Sequence, residues 1–274
     1  MTAQSNIKYG FIVGKDDLVP QVLQKAQQKN LNFVVAAIKS VSSGFVVNKY
    51  NHFWFNLGEI GFLIENLKKH QVSHIVLVGG LSRPSFFNLK TDALGKKFIK
   101  DHFKVIFGDN SLLALVIKTF EEHGFVVVGL QNVDESVLCQ KGLLTTTQVP
   151  NQNILDVENG FKYAKQFSQF DVGQSIVFQQ NMAIAIEAVE GTANLIKRSK
   201  KIIKKQGPQA LLIKVSKNLQ DERVDLPTIG LRTIKSCKAS KIAGIVVEAN
   251  KTILLNPKAV IALADKYKIF IIAL

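Results

Sequence analysis

The sequence predicts an α/β fold in two domains. Three observations carry that expectation. Short apolar runs of strand length, IKYGFIV at 7–13, HIVLV at 74–78 and FVVV at 125–128, suit a parallel sheet covered on both faces. Segments of helical spacing lie between them, such as Ile60–Lys69 with apolar residues at 60, 63, 64 and 67. The alternation then lapses over 131–152, where residues are polar and mixed and Pro150 stands near the end, before α/β patterning resumes.

Taken in order, the strand at 7–13 leads into a Gly14-Lys15-Asp16-Asp17 turn, and Pro20 opens a helix, where its missing N–H is least harmful. Asn32–Ile38 is a second strand. The helix over 60–69 leads to the strand at 74–78, which ends in Gly79-Gly80; a helix over 111–123 leads to the strand at 125–128. This order predicts an open, Rossmann-like parallel sheet for residues 1–133. The stretch 131–152 is taken as a linker, and residues 134–274 as a C-terminal α/β domain. Its predicted elements are a helix at 154–167, a strand pair flanking Gln179-Gln180-Asn181, a helix from Thr192, a strand at 210–215 and a helix from Thr228. Strands at 245–249 and 253–255, a helix at 257–268 and a final strand at 269–274 complete it.

The chain has 274 residues, 47% hydrophobic, enough for one large core or two ordinary ones. No stretch approaches the ~20 apolar residues of a membrane span. The opening MTAQSNIKYGFIVG has no basic region before a long apolar stretch, so no secretory signal is expected. Cys139 and Cys237 form no CxxC pair and the five histidines are scattered, which gives no zinc spacing and suits a reducing cytoplasm. The net charge of +14 favours polyanions: an anionic membrane surface, a phosphorylated substrate or nucleic acid. Its densest run, KRSKKIIKK at 197–205, reads equally as a solvated helix face, and no nucleic-acid-binding signature accompanies it.

Ligands of open α/β sheets bind beyond the C-terminal strand ends, where helix N-termini offer N–H groups. That rule selects Gly10 and Gly14, then Gly79, Gly80, Ser82 and Arg83 of GGLSRP. GFIVGKDD is a poor dinucleotide fingerprint. In GGLSRP the glycines admit close backbone approach and Arg83 supplies a phosphate-gripping fork, although a surface loop has the same composition. Farther on, Glu190-Gly191 ends a strand and Thr192 is placed as N-cap of a helix whose first amides form an anion cradle. Glu190 is then a candidate metal ligand; a plain capped turn is the alternative.

The densest constellation is KVSKNLQDERVDLPTIGLRTI, 214–234. If it is extended, Asp221, Arg223 and Asp225 point one way. Pro227 supports an extended or turned chain, and Thr228 can cap the next helix. Two carboxylates with an interposed arginine, flanked by Lys214 and Lys217, suit pyrophosphate hydrolysis with Mg²⁺, though a salt-bridged structural turn could look the same.

Here the chain resembles a known family. Gln220-Asp221-Glu222-Arg223-Val224-Asp225-Leu226-Pro227-Thr228-Ile229-Gly230 looks like the most characteristic motif of the UDP-2,3-diacylglucosamine pyrophosphatases of lipid A synthesis, the type unrelated to calcineurin-like phosphoesterases. Gly58-Glu59-Ile60-Gly61, Ser82-Arg83-Pro84, Gly108-Asp109-Asn110, Asp171-Val172-Gly173-Gln174-Ser175, Glu187-Ala188-Val189-Glu190-Gly191-Thr192 and Ala243-Gly244-Ile245-Val246 fall in the family's order. The resemblance implies a substrate held between two domains and cleavage to UMP and 2,3-diacylglucosamine 1-phosphate (lipid X), with Mg²⁺ as cofactor. Asp225 matches the essential aspartate, with Asp221, Arg223 and Lys217 on the catalytic side. Gln174, Gly191, Thr192, Lys214 and Thr228 join the glycine loops in binding substrate, and Asp225 and Glu190 are the metal candidates. The implied partners are this lipid and the inner-membrane surface, met peripherally from the cytoplasm, with no nucleic acid; the oligomeric state, a homodimer included, is left open.

The chain departs from the family pattern at presumed ligand loops. Lys15-Asp16-Asp17 stands in place of a glycine run, Gly80 in place of Asn, Ala193 in place of an acid, Asn218 in place of Pro and Val247 in place of Gly. These changes motivate a rival expectation, a non-catalytic lipid or nucleotide-sugar binder on the same scaffold.

Overall fold

The computed structural model describes residues 7–15, 18–81, 89–102, 109–170, 172–217 and 221–274. The chain forms two compact units, Met1–Asp134 and Glu135–Leu274.

In the first unit, β1 (Tyr9–Val13), β2 (Phe33–Ile38), β3 (His52–Phe55), β4 (His74–Val78) and β5 (Val126–Val127) make a five-stranded sheet in the order β3-β2-β1-β4-β5. Every pairing is parallel, and β1 lies in register between Phe33–Ala37 and His74–Val78. The helices are α1 (Leu18–Gln28), α2 (Gly44–Val47), α3 (Ile60–Lys69), α4 (Ala93–His102), α5 (Asp109–Glu122) and α6 (Leu130–Val133). Strands β1 and β2 are apolar because both faces are covered: Phe11, Val13 and Val34 through Ala37 are fully buried. Helix α1 buries Leu18, Val19, Val22, Leu23 and Ala26, one stripe at helical spacing. A leucine buried as completely as Leu23 contributes about 2 kcal/mol. Pro20 is the third residue of α1 rather than its first, still within the turn whose N–H groups lack intrahelical acceptors.

The second unit holds a six-stranded mixed sheet, built from β6 (Gly142–Leu143), β7 (Ser175–Gln179), β8 (Met182–Ile186), β9 (Leu211–Lys214), β11 (Gly244–Val247) and β13 (Phe270–Ala273) in the order β6-β13-β11-β9-β7-β8. Strands β9, β11 and β13 are parallel; β6, β7 and β8 each run antiparallel to the strand they join. A small parallel pair, β10 (Thr228–Ile229) with β12 (Ile253–Leu254), lies apart from that sheet. Of the helices α7 (Ile154–Phe167), α8 (Gly191–Ser199), α9 (Leu231–Ala239) and α10 (Pro257–Lys266), α7 packs into one apolar cluster and the other three into a second. The β7–β8 turn needs two residues at positive φ, Gln180 (52°) and Asn181 (58°). The buried Asp156 carboxylate fixes it by accepting from their amides at 2.9 and 2.6 Å.

The stretch expected to be a linker is instead part of the fold. Gly142–Leu143 pairs with β13, the Cys139 amide donates to Thr252 O (2.8 Å), and Asp265 accepts from the Thr147 amide and hydroxyl, both at 2.8 Å. Both cysteines are free and buried in the α8–α9–α10 cluster. Burial pushes the Cys139 thiol up to about 12 and the Cys237 thiol higher than its ordinary range. No helix among the described residues is long and apolar enough to cross a membrane.

Candidate functional site

Strand register brings distant residues of the second unit to one sheet edge. Lys214 closes β9, and its antiparallel partner Ser175 opens β7. Glu187 follows β8, and its amide donates to Ser175 O (2.9 Å). Ser216 and Lys217 follow β9, and Glu248 follows the parallel β11. This is the C-terminal end of the parallel strands, where such sheets receive ligands.

Lys214 is the centre of this edge. Its ammonium is buried and donates to Thr192 Oγ1 at 3.1 Å. The Thr192 hydroxyl donates to the Glu187 carboxylate, 3.0 and 3.2 Å from its two oxygens, and Ser175 Oγ lies 3.2 Å from the same hydroxyl. Thr192 has one proton, so with that proton on Glu187 the Ser175 hydroxyl must be the donor between the two. Burial pushes the Lys214 pKa down, while the charges of Glu187 and Asp225 push it up; burial prevails. The sequence points to Lys214, Thr192 and Asp225 here; the structure joins the first two by a hydrogen bond, and the charge of Asp225 acts on the same ammonium. Glu187 and Ser175 were overlooked as site residues; the available signal was an acid closing the apolar strand MAIAI.

Thr192 does not cap α8. Glu190 stands at the N-cap, and Thr192 lies within the first turn with its hydroxyl spent on the cluster. Gly191 opens the helix at φ +77°, a conformation that favours glycine. The Glu190 carboxylate accepts from Arg198 Nη2 (2.8 Å) and Nε (3.0 Å). Arg198 holds its pKa below the ordinary carboxylate range. The Glu190 carboxylate, a metal candidate from sequence, turns to Arg198, and Glu187 occupies the cluster.

Residues 221–225 are not extended. The Asp225 amide donates to Asp221 O (3.2 Å) and the Val224 amide to the same oxygen (3.1 Å), forming a single helical turn. Asp221 takes a fork from Arg223, Nε at 2.9 Å and Nη2 at 2.7 Å, which lowers its pKa. The Asp221–Arg223 pair therefore braces the turn that presents Asp225. Thr228 lies in β10 and donates to Leu226 O (3.2 Å), so it caps no helix; α9 begins at Leu231 behind Gly230. The Gln174 carbonyl accepts from the Val215 amide (2.9 Å), placing Gln174 beside the end of β9. Glu248 accepts from Lys165 (3.0 Å) and from the Ser216 amide and hydroxyl (3.0 and 2.7 Å). Burial raises its pKa, but these bonds outweigh burial and leave it lowered. Val247 is fully buried, Ala193 is exposed in the first turn of α8, and Asn218 lies outside the described residues.

In the first unit the glycine loops after β1 and β4 meet. Lys15 and Gly80 exchange backbone hydrogen bonds at 3.0 and 2.8 Å, and the Gly14 amide donates to Val78 O (2.9 Å). A Cβ on Gly14 would lie 2.4 Å from Gly80 O, and Gly79 has φ +84°, so both positions require glycine. Gly10 is different: it is buried inside β1, where Leu67 and Val72 fill the space of a side chain, so packing accounts for it without a ligand. Asp16, Asp17, Ser82, Arg83 and Asp171 lie outside the described residues.

Residues 8–137 match the LpxI N-terminal domain, and residues 140–272 match the LpxI C-terminal domain. The chain is also similar to the UDP-2,3-diacylglucosamine pyrophosphatase LpxI of Caulobacter vibrioides, with 29% identity over 271 residues covering 97% of this chain and 96% of that protein.

Proposed function

The chain belongs to the LpxI family, and from that premise we propose that it hydrolyses the pyrophosphate bond of UDP-2,3-diacylglucosamine to 2,3-diacylglucosamine 1-phosphate and UMP. Among its own residues, the observation that most supports this is the buried Lys214–Thr192–Glu187 cluster with Asp225 acting on the same ammonium. Water adds to the sugar-side phosphorus, the bridging P–O bond breaks, and UMP leaves with the electron pair. Asp225 orients the water. Lys214 holds Asp225 and Thr192 in place, and the first amides of α8 with Lys217 face the charge that develops on the phosphate oxygens.

Mg²⁺ fits this site as a partner of the substrate rather than of a closed cage. Among the described residues no three His, Cys, Asp or Glu side chains converge. Mg²⁺ is commonly held by one or two carboxylates together with substrate phosphates. Asp225 and Glu187, the two acids whose charges act on Lys214, would supply such donors. The ion would neutralise phosphate charge when bound. The reading also places the protein against the cytoplasmic face of a membrane, since its substrate is a diacyl lipid and its net charge of +14 attracts anionic headgroups.

The test is to incubate purified protein with UDP-2,3-diacylglucosamine and Mg²⁺, with and without EDTA, and measure UMP. Release that EDTA stops supports both the reaction and the cofactor. Release that EDTA leaves intact removes the metal, and no release from folded protein removes the reaction.

A further inference from the structure

The stretch that carries Asp225 is held by one neighbouring segment, 248–255, which runs from the end of β11 through β12. Glu248 Oε2 accepts from the Ser216 amide (3.0 Å) and hydroxyl (2.7 Å). Lys251 pairs with Glu222, the Ile253 amide donates to Pro227 O (2.8 Å), and the Leu255 amide donates to Ile229 O (2.9 Å). The two segments thus meet in chain order, at 216, 222, 227 and 229. The holding segment is itself fixed. The Ala249 amide donates to Leu274 O and the Asn250 amide to Cys139 O, both at 2.9 Å, and Thr252 O accepts from the Cys139 amide at 2.8 Å.

These ties are not equal. The Lys251–Glu222 pair is 41% and 50% exposed, so water screens it and it weighs little. The backbone bonds at Pro227 and Ile229 fix the chain after Asp225. Ahead of Asp225 the strong tie is Glu248, 12% exposed and charge-assisted. Its other oxygen takes Lys165 at 3.0 Å. Three donors therefore occupy this carboxylate, and its route to the chemistry runs through Ser216. The bonds inside 221–225, from Arg223 to Asp221 and from the Asp225 amide to Asp221 O, shape the turn from within. Local bonds of that kind fix conformation; where the turn stands against the sheet is set by its tied ends.

We propose that Glu248 is a positioning residue of the hydrolysis: by anchoring Ser216 it sets where the 221–225 turn presents Asp225. The inference rests on the reading of Asp225 as the residue that orients the attacking water, and deepens it by naming what holds Asp225 in place. Glu248 touches neither substrate nor metal in this role.

The experiment measures UMP release by the full-length chain and native-state hydrogen exchange of the Val224 and Asp225 amides. Glu248→Ala should lower kcat roughly ten- to a hundredfold, the cost of a misplaced group, and leave KM within about threefold. The two amides should exchange roughly tenfold faster, as loss of a hydrogen bond to a charged group allows. Glu248→Gln keeps an acceptor for Ser216 and should recover most of the kcat. In an Asp225→Asn background the kcat loss from Glu248→Ala should shrink to about threefold, because Glu248 acts through Asp225. The control is Asp156→Asn, which weakens a buried carboxylate anchor at the β7–β8 turn, at the other end of β9 from Ser216. It should lose stability and keep kcat within about twofold. If Glu248→Ala fails a thermal-melt check, Ser216→Ala removes the hydroxyl half of the contact and should show the same split at smaller size. Unchanged kcat in a folded variant, full additivity with Asp225→Asn, or an equal kcat loss in Asp156→Asn overturns the proposal. No UMP release by the parent chain sinks the reaction itself, whereas unchanged exchange of the two amides in Glu248→Ala sinks the anchoring whether or not UMP is released.

Discussion

The parallel strands of the two sheets end in opposite chemistry. In the first unit, the ends of β1 and β4 meet backbone to backbone, Lys15 against Gly80, beside an apolar cavity. In the second unit, the ends of β9 and β11 carry Lys214, Ser216 and Glu248, each held by hydrogen bonds. Both edges gather residues far apart in sequence because parallel strands deliver their termini to one side. Whether such an edge is apolar or charged is decided by the side chains placed there, and the fold itself is neutral on the matter.

The contrast breaks most sharply at Asp225. Asp225→Asn should lower kcat/KM on the order of a thousandfold with an unchanged circular dichroism spectrum; near-normal turnover would remove Asp225 from the chemistry. Next comes the buried ammonium. Lys214→Met leaves Glu187 and Asp225 without their shared cation and should cost about 3 kcal/mol in urea unfolding. Adding Glu187→Gln should recover part of that loss, and full additivity would show that the two residues are not coupled. In the first unit, Gly79→Ala should destabilise by roughly 1–3 kcal/mol through strained backbone. Its Cβ would also lie 2.8 Å from Val19 Cγ2, whereas Gly124→Ala at φ +90° meets nothing within 4 Å and should lose less.

Each unit holds a carboxylate of lowered pKa, Glu59 in the first and Glu248 in the second. Glu248 has a lowered pKa when folded, so its contribution is present above the unfolded value of about 4.3 and is lost as pH falls through the lower folded value. Glu248→Gln should therefore be less stable than the parent at pH 7 by roughly 1–2 kcal/mol, with the gap narrowing toward pH 3 in urea titrations. A gap that stays constant with pH would mean that the loss is not electrostatic. The smallest effect is expected at Glu190, whose exposed pairing with Arg198 lies apart from the cluster. Glu190→Gln should keep turnover within about threefold, as for other surface pairs; a collapse of activity would return Glu190 to the metal.

Much of this fold was legible in sequence. Helices α3 and α7 begin and end where apolar spacing places them, and β4 is the whole of its apolar run. Strand β3 was not foreseen, since HFWF lacks polar–apolar alternation. Helix α4 also went unseen: ALGKKFIKDH is rich in charge and buries only Gly95 among its residues, so its stripe is weak. The site was half legible. Spacing by two suggested an extended 221–225, but Asp221 and Asp225 are joined by an i to i+4 backbone bond, which no single-residue preference announces. Choosing Glu190 over Glu187 followed from the helix start nearby, whereas the hairpin register of β7 and β8 determines which acid faces Lys214. Function came chiefly from the resemblance of the 220–230 motif; the residues alone stop at an anionic, phosphate-bearing ligand.

The two buried thiols give the molecule an internal clock. Cys139 and Cys237 are the chain's two cysteines, and both belong to the core of the second unit. A thiol reagent can reach them only when that core opens, and the first unit has no cysteine to answer it. The rate at which the native chain takes up label therefore reports the opening of the charged half alone, without any added probe. Ligands that tighten that half will register as slower labelling.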